Sequence, residues 1–183
     1  MKVAISGFHG SGKTTICHQV IADLKKRNIN CSLVSESARS SHLFLSGDFS
    51  EKMHVEILTM HVANEMRSEY NSKVSICDRS IFDFLAYAHC RFGDEDRRGY
   101  LIDSIFDFSY SYARGYDAIF LVKSTYGNPD NDSLRRNDTV LCEEFDFQIR
   151  RIIRENSNVK NLFELTGSDK DRAVTDWIEA HLK

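Results

Sequence analysis

A short run of residues near the start of the chain has the composition and spacing of a phosphate-binding loop. Residues 7–14 read Gly-Phe-His-Gly-Ser-Gly-Lys-Thr and match the pattern G-x-x-x-x-G-K-[ST] in full. The glycines let the backbone turn its N–H groups toward phosphate oxygens, and a helix that follows presents its positive end to the same anion. Lys13 supplies a positive charge to the β- and γ-phosphates, and the Thr14 hydroxyl suits Mg²⁺. The residues predicted to bind the phosphates of ATP are Gly7, Gly10, Ser11, Gly12, Lys13, Thr14 and Thr15.

Charged side chains follow two further predicted strands, where each strand ends. Glu36 follows the second strand, with Arg39 one helical turn later. The third strand ends on Asp78-Arg79-Ser80, with Asp83 on the first turn of the next helix. Ligands of parallel sheets bind at the carboxyl ends of the strands, so we expect both segments to flank the phosphate loop.

Phosphoryl transfer gives these side chains candidate roles, because it needs a metal, positive charge and a group that orients the attacking oxygen. We predict that Asp78 and Thr14 hold Mg²⁺, partly through water, and that Glu36 acts as a base or binds the acceptor. Arg79 is predicted to neutralise transition-state charge, and Arg79, Arg39 and Asp83 to bind the acceptor. Two other interpretations stay open: Asp78 caps the following helix, and Glu36 and Arg39 form a surface ion pair.

A polar stretch from Lys123 to Asp138 contains the only proline of the chain, Pro129. Loops of this length tend to be functional lids or disordered segments. Together with Lys13, Glu36, Asp78 and Arg79, its residues Arg135 and Arg136 complete the predicted catalytic set. A lid carrying these two arginines would close over ATP, exclude water and stabilise the transferring charge. A solvent-exposed charged loop is the alternative interpretation.

The elements that must position these residues alternate along the chain between apolar strands and amphipathic helices. The predicted strands are 2–6, 31–35, 73–77, 117–122 and 159–165, and the predicted helices are 14–27, 51–70, 81–92, 95–114, 143–154 and 169–182. This alternation predicts an α/β fold with a central parallel sheet of about five strands and helices on both faces. No linker divides the chain, so we predict one domain over residues 1–183 with a lid at about 123–138.

Composition excludes several classes of protein. The apolar fraction of 42% is sufficient for a buried core, and the net charge of −3 gives no basic excess that would indicate a nucleic-acid partner. Five widely spaced cysteines form no disulfide or zinc pattern, so Cys17, Cys31 and Cys77 are expected to be buried thiols. Reduced cysteines, and the lack of a long apolar stretch at the N-terminus, predict a cytoplasmic protein without a membrane span.

These motifs resemble those of the small P-loop kinases of the nucleoside and nucleotide kinase group. Within it, the chain is most similar to the kinase-like ATPases that include the nicotinamide riboside kinase domain. The matching segments are residues 7–15, Glu36-Ser37-Ala38-Arg39, Asp78-Arg79-Ser80 with Asp83 and Tyr87, Asp132-Ser133-Leu134-Arg135, and Thr166-Gly167-Ser168 with Arg172. The resemblance implies a three-layer P-loop NTPase fold and a small-molecule kinase that uses ATP and Mg²⁺. Ser133 replaces the usual lid glycine, and Arg136 adds a second lid arginine.

Other activities compete with the kinase hypothesis. A GTPase needs Asn-Lys-x-Asp, and the nearest string, Ser168-Asp169-Lys170-Asp171, lacks the asparagine. An ATP-hydrolysing motor commonly places a glutamate after the third-strand aspartate, where this chain has Arg79. A nucleotide sensor and a polynucleotide 5′-end kinase stay open as alternatives.

The phosphate acceptor is open as well. The arginines suit a nucleoside monophosphate, whereas Glu36 suits the hydroxyl of a nucleoside. The aromatic residues of the predicted helices are mostly core residues, although one or two of them suit stacking on a flat acceptor. The aromatic helix segment Ile105–Tyr112 could pack in the core or form a dimer interface, so a homodimer is a further possibility that the sequence leaves open.

Overall fold

The computed structural model describes residues 1–93, 99–123, 139–155, 159 and 161–182. Its strands are β1 (Lys2–Ser6), β2 (Cys31–Val34), β3 (Val74–Asp78), β4 (Ala118–Val122) and β5 (Leu162–Leu165). Its helices are α1 (Lys13–Lys26), α2 (His42–Leu45), α3 (Glu51–Asn71), α4 (Ile81–Phe92), α5 (Tyr100–Tyr112), α6 (Thr139–Glu155) and α7 (Lys170–His181). The five strands form one parallel sheet in the order β2-β3-β1-β4-β5.

Alternate residues of the central strand β1 face opposite sides of the sheet, as the period of a strand requires. Val3 and Ile5 pack in the core that includes residues of α1 and α7, whereas Ala4 packs in the core that includes residues of α3, α4, α5 and α6. Both faces of the sheet are therefore covered, which explains why its strands read as nearly continuous apolar runs. The predicted α/β fold with a five-stranded parallel sheet is confirmed.

The structure adds short elements between β2 and α3 that the sequence did not predict. Residues Ser37–Ser40 form a 3₁₀ turn, and α2 follows at once. Ser41 begins α2 by accepting a hydrogen bond from the N–H of Phe44 at 3.1 Å. The Glu56 side chain of α3 accepts from Ser41 Oγ and from the N–H of Leu43, and so holds α2 against α3. Both elements are too short to show a hydrophobic period.

Other boundaries differ by a few residues. Helix α6 begins at Thr139 rather than at residue 143, and β5 begins at Leu162 rather than at residue 159. Helix α5 begins at Tyr100, and residues 95–98 of the predicted helix lie outside the described residues. The predicted lid, including Arg135, Arg136 and residues 132–134, also lies outside them, apart from Lys123.

The three cysteines predicted to be buried, and one face of α5, lie in the interior. Cys17, Cys31 and Cys77 are buried free thiols, as predicted. Helix α5 buries Ile105 and Phe106, which indicates a core position for that face. None of the helices described here has both the length and the apolar character needed to cross a membrane.

Candidate active site

The phosphate loop connects β1 to α1 at the carboxyl edge of the sheet. Gly10 and Gly12 adopt φ values of 75° and 85°, in the left-handed region that favours glycine. Gly7 has φ 141°, and a Cβ atom there would lie 2.6 Å from the carbonyl oxygen of Val122 in β4. The loop therefore needs glycine at Gly7 both for its backbone conformation and for its close approach to β4.

Lys13 is nearly fully buried within this loop. Its Nζ donates to the Phe8 carbonyl oxygen at 2.6 Å and to Ser11 Oγ at 3.3 Å. Burial and the nearby charge of Arg79 lower the pKa of Lys13 to about 7. Bound phosphate would restore the charged form, because an anion close to the amine favours it.

Thr14 and Asp78 bring two oxygen ligands together at the start of α1. Thr14 Oγ1 donates to Asp78 Oδ2 at 2.6 Å, and the register of the sheet places Asp78 beside Ile5 of β1. A hydroxyl and a carboxylate oxygen are hard ligands that suit Mg²⁺ held with phosphate oxygens. The residue that caps α4 is Ser80 rather than Asp78, so helix capping does not explain the aspartate.

Arg79 joins the second strand end to the phosphate loop. Its Nε and Nη2 donate to Glu36 Oε1 at 2.9 and 2.7 Å, and its Nη1 donates to the Gly7 carbonyl oxygen at 3.4 Å. Burial opposes the charge, but Glu36, Tyr87 and Asp83 outweigh it and raise the pKa of Arg79 above its ordinary value. Its φ of 100° lies in a region that bulky residues rarely adopt, and such strain concentrates at functional sites.

The Asp83 side chain hydrogen-bonds to the phosphate loop. Its Oδ1 accepts the N–H of Gly7 at 2.9 Å, and its Oδ2 accepts from the N–H and Oγ of Ser80 at 2.8 and 3.0 Å. Ser6 Oγ donates in turn to Ser80 Oγ at 2.7 Å, a contact that the sequence analysis missed. The Asp83 side chain has no exposed surface. In this structure it positions the loop, and contact with an acceptor stays a prediction.

A pocket of about 300 Å³ opens beside these residues, between the 3₁₀ turn and α2 on one side and α3 and α4 on the other. Its lining residues are His9, Glu36, Ala38, Phe44, Phe49, Met53, His54, Ile57, Arg79, Phe84, Tyr87, Cys90, Arg91 and Leu141. Most of them are apolar or aromatic, as in sites for small organic ligands. Sequence reasoning had identified Glu36 and Arg79, and two of its candidate stacking residues, Phe84 and Tyr87, also line the pocket.

The remaining lining residues come from elements with weak sequence signals. Phe44 lies in the short helix α2, Phe49 follows that helix, and His54 lies on the first turn of α3. His9, for which no role was predicted, donates its backbone N–H to the Tyr87 hydroxyl at 3.2 Å. Burial raises the pKa of Tyr87 to about 12, so its hydroxyl stays protonated.

Arg39 lies at the surface beside the pocket. Its side chain is 57% exposed, and its Nε lies 3.4 Å from Glu36 Oε2. The ion pair between Glu36 and Arg39 that the alternative interpretation describes is therefore present, but the Glu36 side chain is only 8% exposed and its stronger partner is the buried Arg79. Ser168, which belongs to one of the segments that match the kinase group, is exposed before α7.

Comparisons with known proteins identify the family and the fold of the chain. A family model described as an AAA domain matches residues 2–172. No curated protein matches the chain. Three similar solved structures are those of a deoxyadenosine kinase from M. mycoides, with bound dCTP, with products dCMP and a flexible dCDP, and with bound dATP.

The deoxyadenosine kinase structures resemble this chain over almost its whole length at low sequence identity. The structure with dCTP has 15% identity, covers 98% of this chain and 100% of its own, and has a TM-score of 0.67. The structure with dCMP and dCDP has 16% identity, coverages of 100% and 98%, and a TM-score of 0.69. The structure with dATP has 15% identity, covers 98% of this chain and 99% of its own, and has a TM-score of 0.70. The chain therefore belongs to the AAA domain family, and its fold is that of the P-loop nucleoside kinases.

Proposed function

We propose that this protein is an ATP-dependent kinase that transfers the γ-phosphate of ATP to a hydroxyl group of a nucleoside-like acceptor. One observation carries the proposal: the guanidinium of Arg79 bonds to the phosphate loop through the Gly7 carbonyl and to the pocket through Glu36. The phosphate loop and the pocket thus meet at one side chain, as a direct transfer between two bound substrates requires.

In the proposed reaction, a bond forms between the acceptor oxygen and the γ-phosphorus, and the bond from this phosphorus to the oxygen bridging it to the β-phosphate breaks. Glu36 accepts the proton of the acceptor hydroxyl, and ADP leaves with the bridging oxygen. Lys13 and Arg79 neutralise the charge on the phosphoryl oxygens. Thr14 and Asp78 would hold Mg²⁺, which supplies further charge neutralisation.

The composition of the pocket supports a nucleoside rather than a nucleoside monophosphate as the acceptor. Binding an additional phosphate group favours arginines that are available as bidentate donors. Two arginines line the described pocket. Arg79 already bonds to Glu36 and Gly7, while Arg91 donates its Nε to the Phe49 carbonyl oxygen at 2.7 Å and lies over the Phe49 ring. The aromatic walls suit a flat heterocycle. The deoxyadenosine kinase of similar fold was solved with deoxynucleotides bound.

ADP release from Mg·ATP tests the proposal in the presence of separate acceptors: nucleosides, nucleoside monophosphates, nicotinamide riboside and 5′-hydroxyl oligonucleotides. The Lys13→Ala variant serves as the blank. We expect stimulation by at least one nucleoside and loss of this activity in the variant. Steady ADP release that no acceptor stimulates would favour an ATPase, ATP binding without turnover would favour a sensor, and stimulation by oligonucleotides alone would favour a polynucleotide 5′-end kinase.

A further inference from the structure

His54 lines the proposed acceptor pocket and carries a buried nitrogen, Nε2, without a hydrogen-bond partner among the described residues. The residue lies on the first turn of α3, and its side chain is only 7% exposed. Buried polar side-chain atoms in folded proteins are mostly hydrogen-bonded, so this exception requires an explanation.

The position of His54 is at the end of the pocket away from the phosphate loop. Phe84, Tyr87 and Arg91 all line the pocket and follow one another along α4, over about 10 Å of helix axis. Arg79 and the phosphate loop lie at the beginning of this row, and Arg91 lies at its end. The His54 ring packs edge-on against Phe92, the next residue of α4, with ring centroids 5.3 Å apart. His54 is therefore where the far edge of an acceptor would lie when its hydroxyl meets Glu36.

The chemistry of the ring suits recognition of a neutral heterocycle. Burial and the charge of Arg91 lower the pKa of His54 to about 4, so its imidazole is neutral at pH 7. A neutral imidazole has one N–H donor and one acceptor nitrogen. The polar edges of nucleobases present the same two kinds of group, and a ligand that supplies the missing partner recovers the free energy lost by burying the nitrogen.

We propose that His54 is a specificity-determining residue, which hydrogen-bonds the polar edge of the acceptor's nucleobase and so selects among bases. This inference rests on the proposed nucleoside kinase function and deepens it. The competing explanation is a core histidine that only packs against Phe92. The two explanations differ in one measurable quantity, which is the ranking of nucleosides that differ in their base.

The test measures dissociation constants by calorimetry, without ATP, for adenosine, guanosine, cytidine, uridine and their deoxy forms. The proteins are the wild type, His54→Leu, His54→Gln and His18→Leu, which makes the same change at an exposed position of α1. We expect His54→Leu to weaken binding of the preferred nucleoside by about 10- to 100-fold and to bring the different bases close to equal affinity. His54→Gln keeps a donor and an acceptor but places them differently from the imidazole nitrogens, so it should still discriminate among bases with affinities that differ from those of the wild type. His18→Leu should match the wild type.

The ranking also separates failure of this inference from failure of the proposed function. If the wild type binds and phosphorylates nucleosides but His54→Leu keeps the same ranking, the inference is overturned and the kinase stands. The same conclusion follows from His54→Gln if the leucine variant does not fold and the glutamine variant matches the wild type in every affinity. If the wild type neither binds nor phosphorylates any nucleoside, the proposed function itself fails, and the inference fails with it.

Discussion

Tyr116 and Glu65 form a buried hydrogen bond of 2.6 Å between the Tyr116 hydroxyl and Glu65 Oε1. The same hydroxyl oxygen accepts the N–H of Ile81, the first residue of α4, at 2.9 Å. Glu65 lies on α3 and also binds Lys2 Nζ at 3.1 Å. The Tyr116 hydroxyl therefore connects α3 and α4, the two helices that form walls of the proposed acceptor pocket.

Removing the Tyr116 hydroxyl should destabilise the protein without changing the residues that line the pocket. In Tyr116→Phe, both the Ile81 N–H and Glu65 Oε1 lose a partner in a buried environment. We expect the free energy of unfolding to fall by about 1–3 kcal/mol. Tyr70→Phe is the matched control, because Tyr70 is 91% exposed and its change should stay within about 0.5 kcal/mol of wild type. Urea denaturation measures both, and equal effects would contradict the connecting role.

Acid should remove the stabilising contribution of Glu65. Burial alone would raise the pKa of this carboxyl, but His61, the charge of Lys2 and the Tyr116 hydroxyl outweigh it and lower the pKa to about 2. A depressed pKa in the folded state stabilises the fold above the unfolded value of about 4.5, and this stabilisation is lost as the pH falls toward 2. Glu65→Gln should thus be less stable than wild type at pH 6, and the difference should shrink between pH 4.5 and 2. A difference in unfolding free energy that is constant over this range would refute the prediction.

Nucleotide binding should be accompanied by proton uptake at Lys13. The amine, with a pKa of about 7, is largely neutral at pH 8 and largely charged at pH 6. Because phosphate favours the charged amine, binding of Mg·ADP should take up most of a proton at pH 8 and much less at pH 6. Calorimetry in buffers of different ionisation enthalpy measures this uptake. The Lys13→Met variant provides the baseline, and the prediction fails if its uptake equals that of the wild type.

Glu36 should affect the chemical step more than the binding of ATP. Glu36→Gln keeps the shape of the side chain but removes the proposed base, so we expect kcat to fall by roughly 10²-fold with little change in ATP affinity. Glu164→Gln is a control at an exposed carboxylate of β5 that pairs with Arg150. Steady-state kinetics distinguish the roles: an unchanged kcat with a raised KM for the acceptor would assign Glu36 to binding alone.

Local sequence patterns were sufficient to predict the sheet and the phosphate loop. The strand Lys2–Ser6 and the helix Ile81–Phe92 have the predicted boundaries, because an apolar run ending at glycine and an amphipathic period are local signals. The pocket could not be predicted in the same way, because Phe44, Phe49 and His54 come from elements whose relative positions depend on tertiary packing.

Two features of individual residues also could not be predicted from the sequence. The positive φ of Arg79 has no local signal, because arginine rarely adopts it. The bonds of Asp83 to Gly7 and Ser80 depend on how two strand ends meet, so its contact with the loop had no local signal, and its contact with an acceptor stays a prediction.

The shared guanidinium of Arg79 implies thermodynamic linkage between the two substrates. A nucleotide that shifts the Gly7 carbonyl disturbs the same hydrogen-bonding group that holds Glu36, and an acceptor that moves Glu36 disturbs the loop in return. Linkage is reciprocal: if bound nucleotide changes the affinity for the acceptor by some factor, bound acceptor must change the affinity for the nucleotide by the same factor. For the proposed kinase, this coupling between nucleotide and acceptor would pass through one buried side chain, that of Arg79.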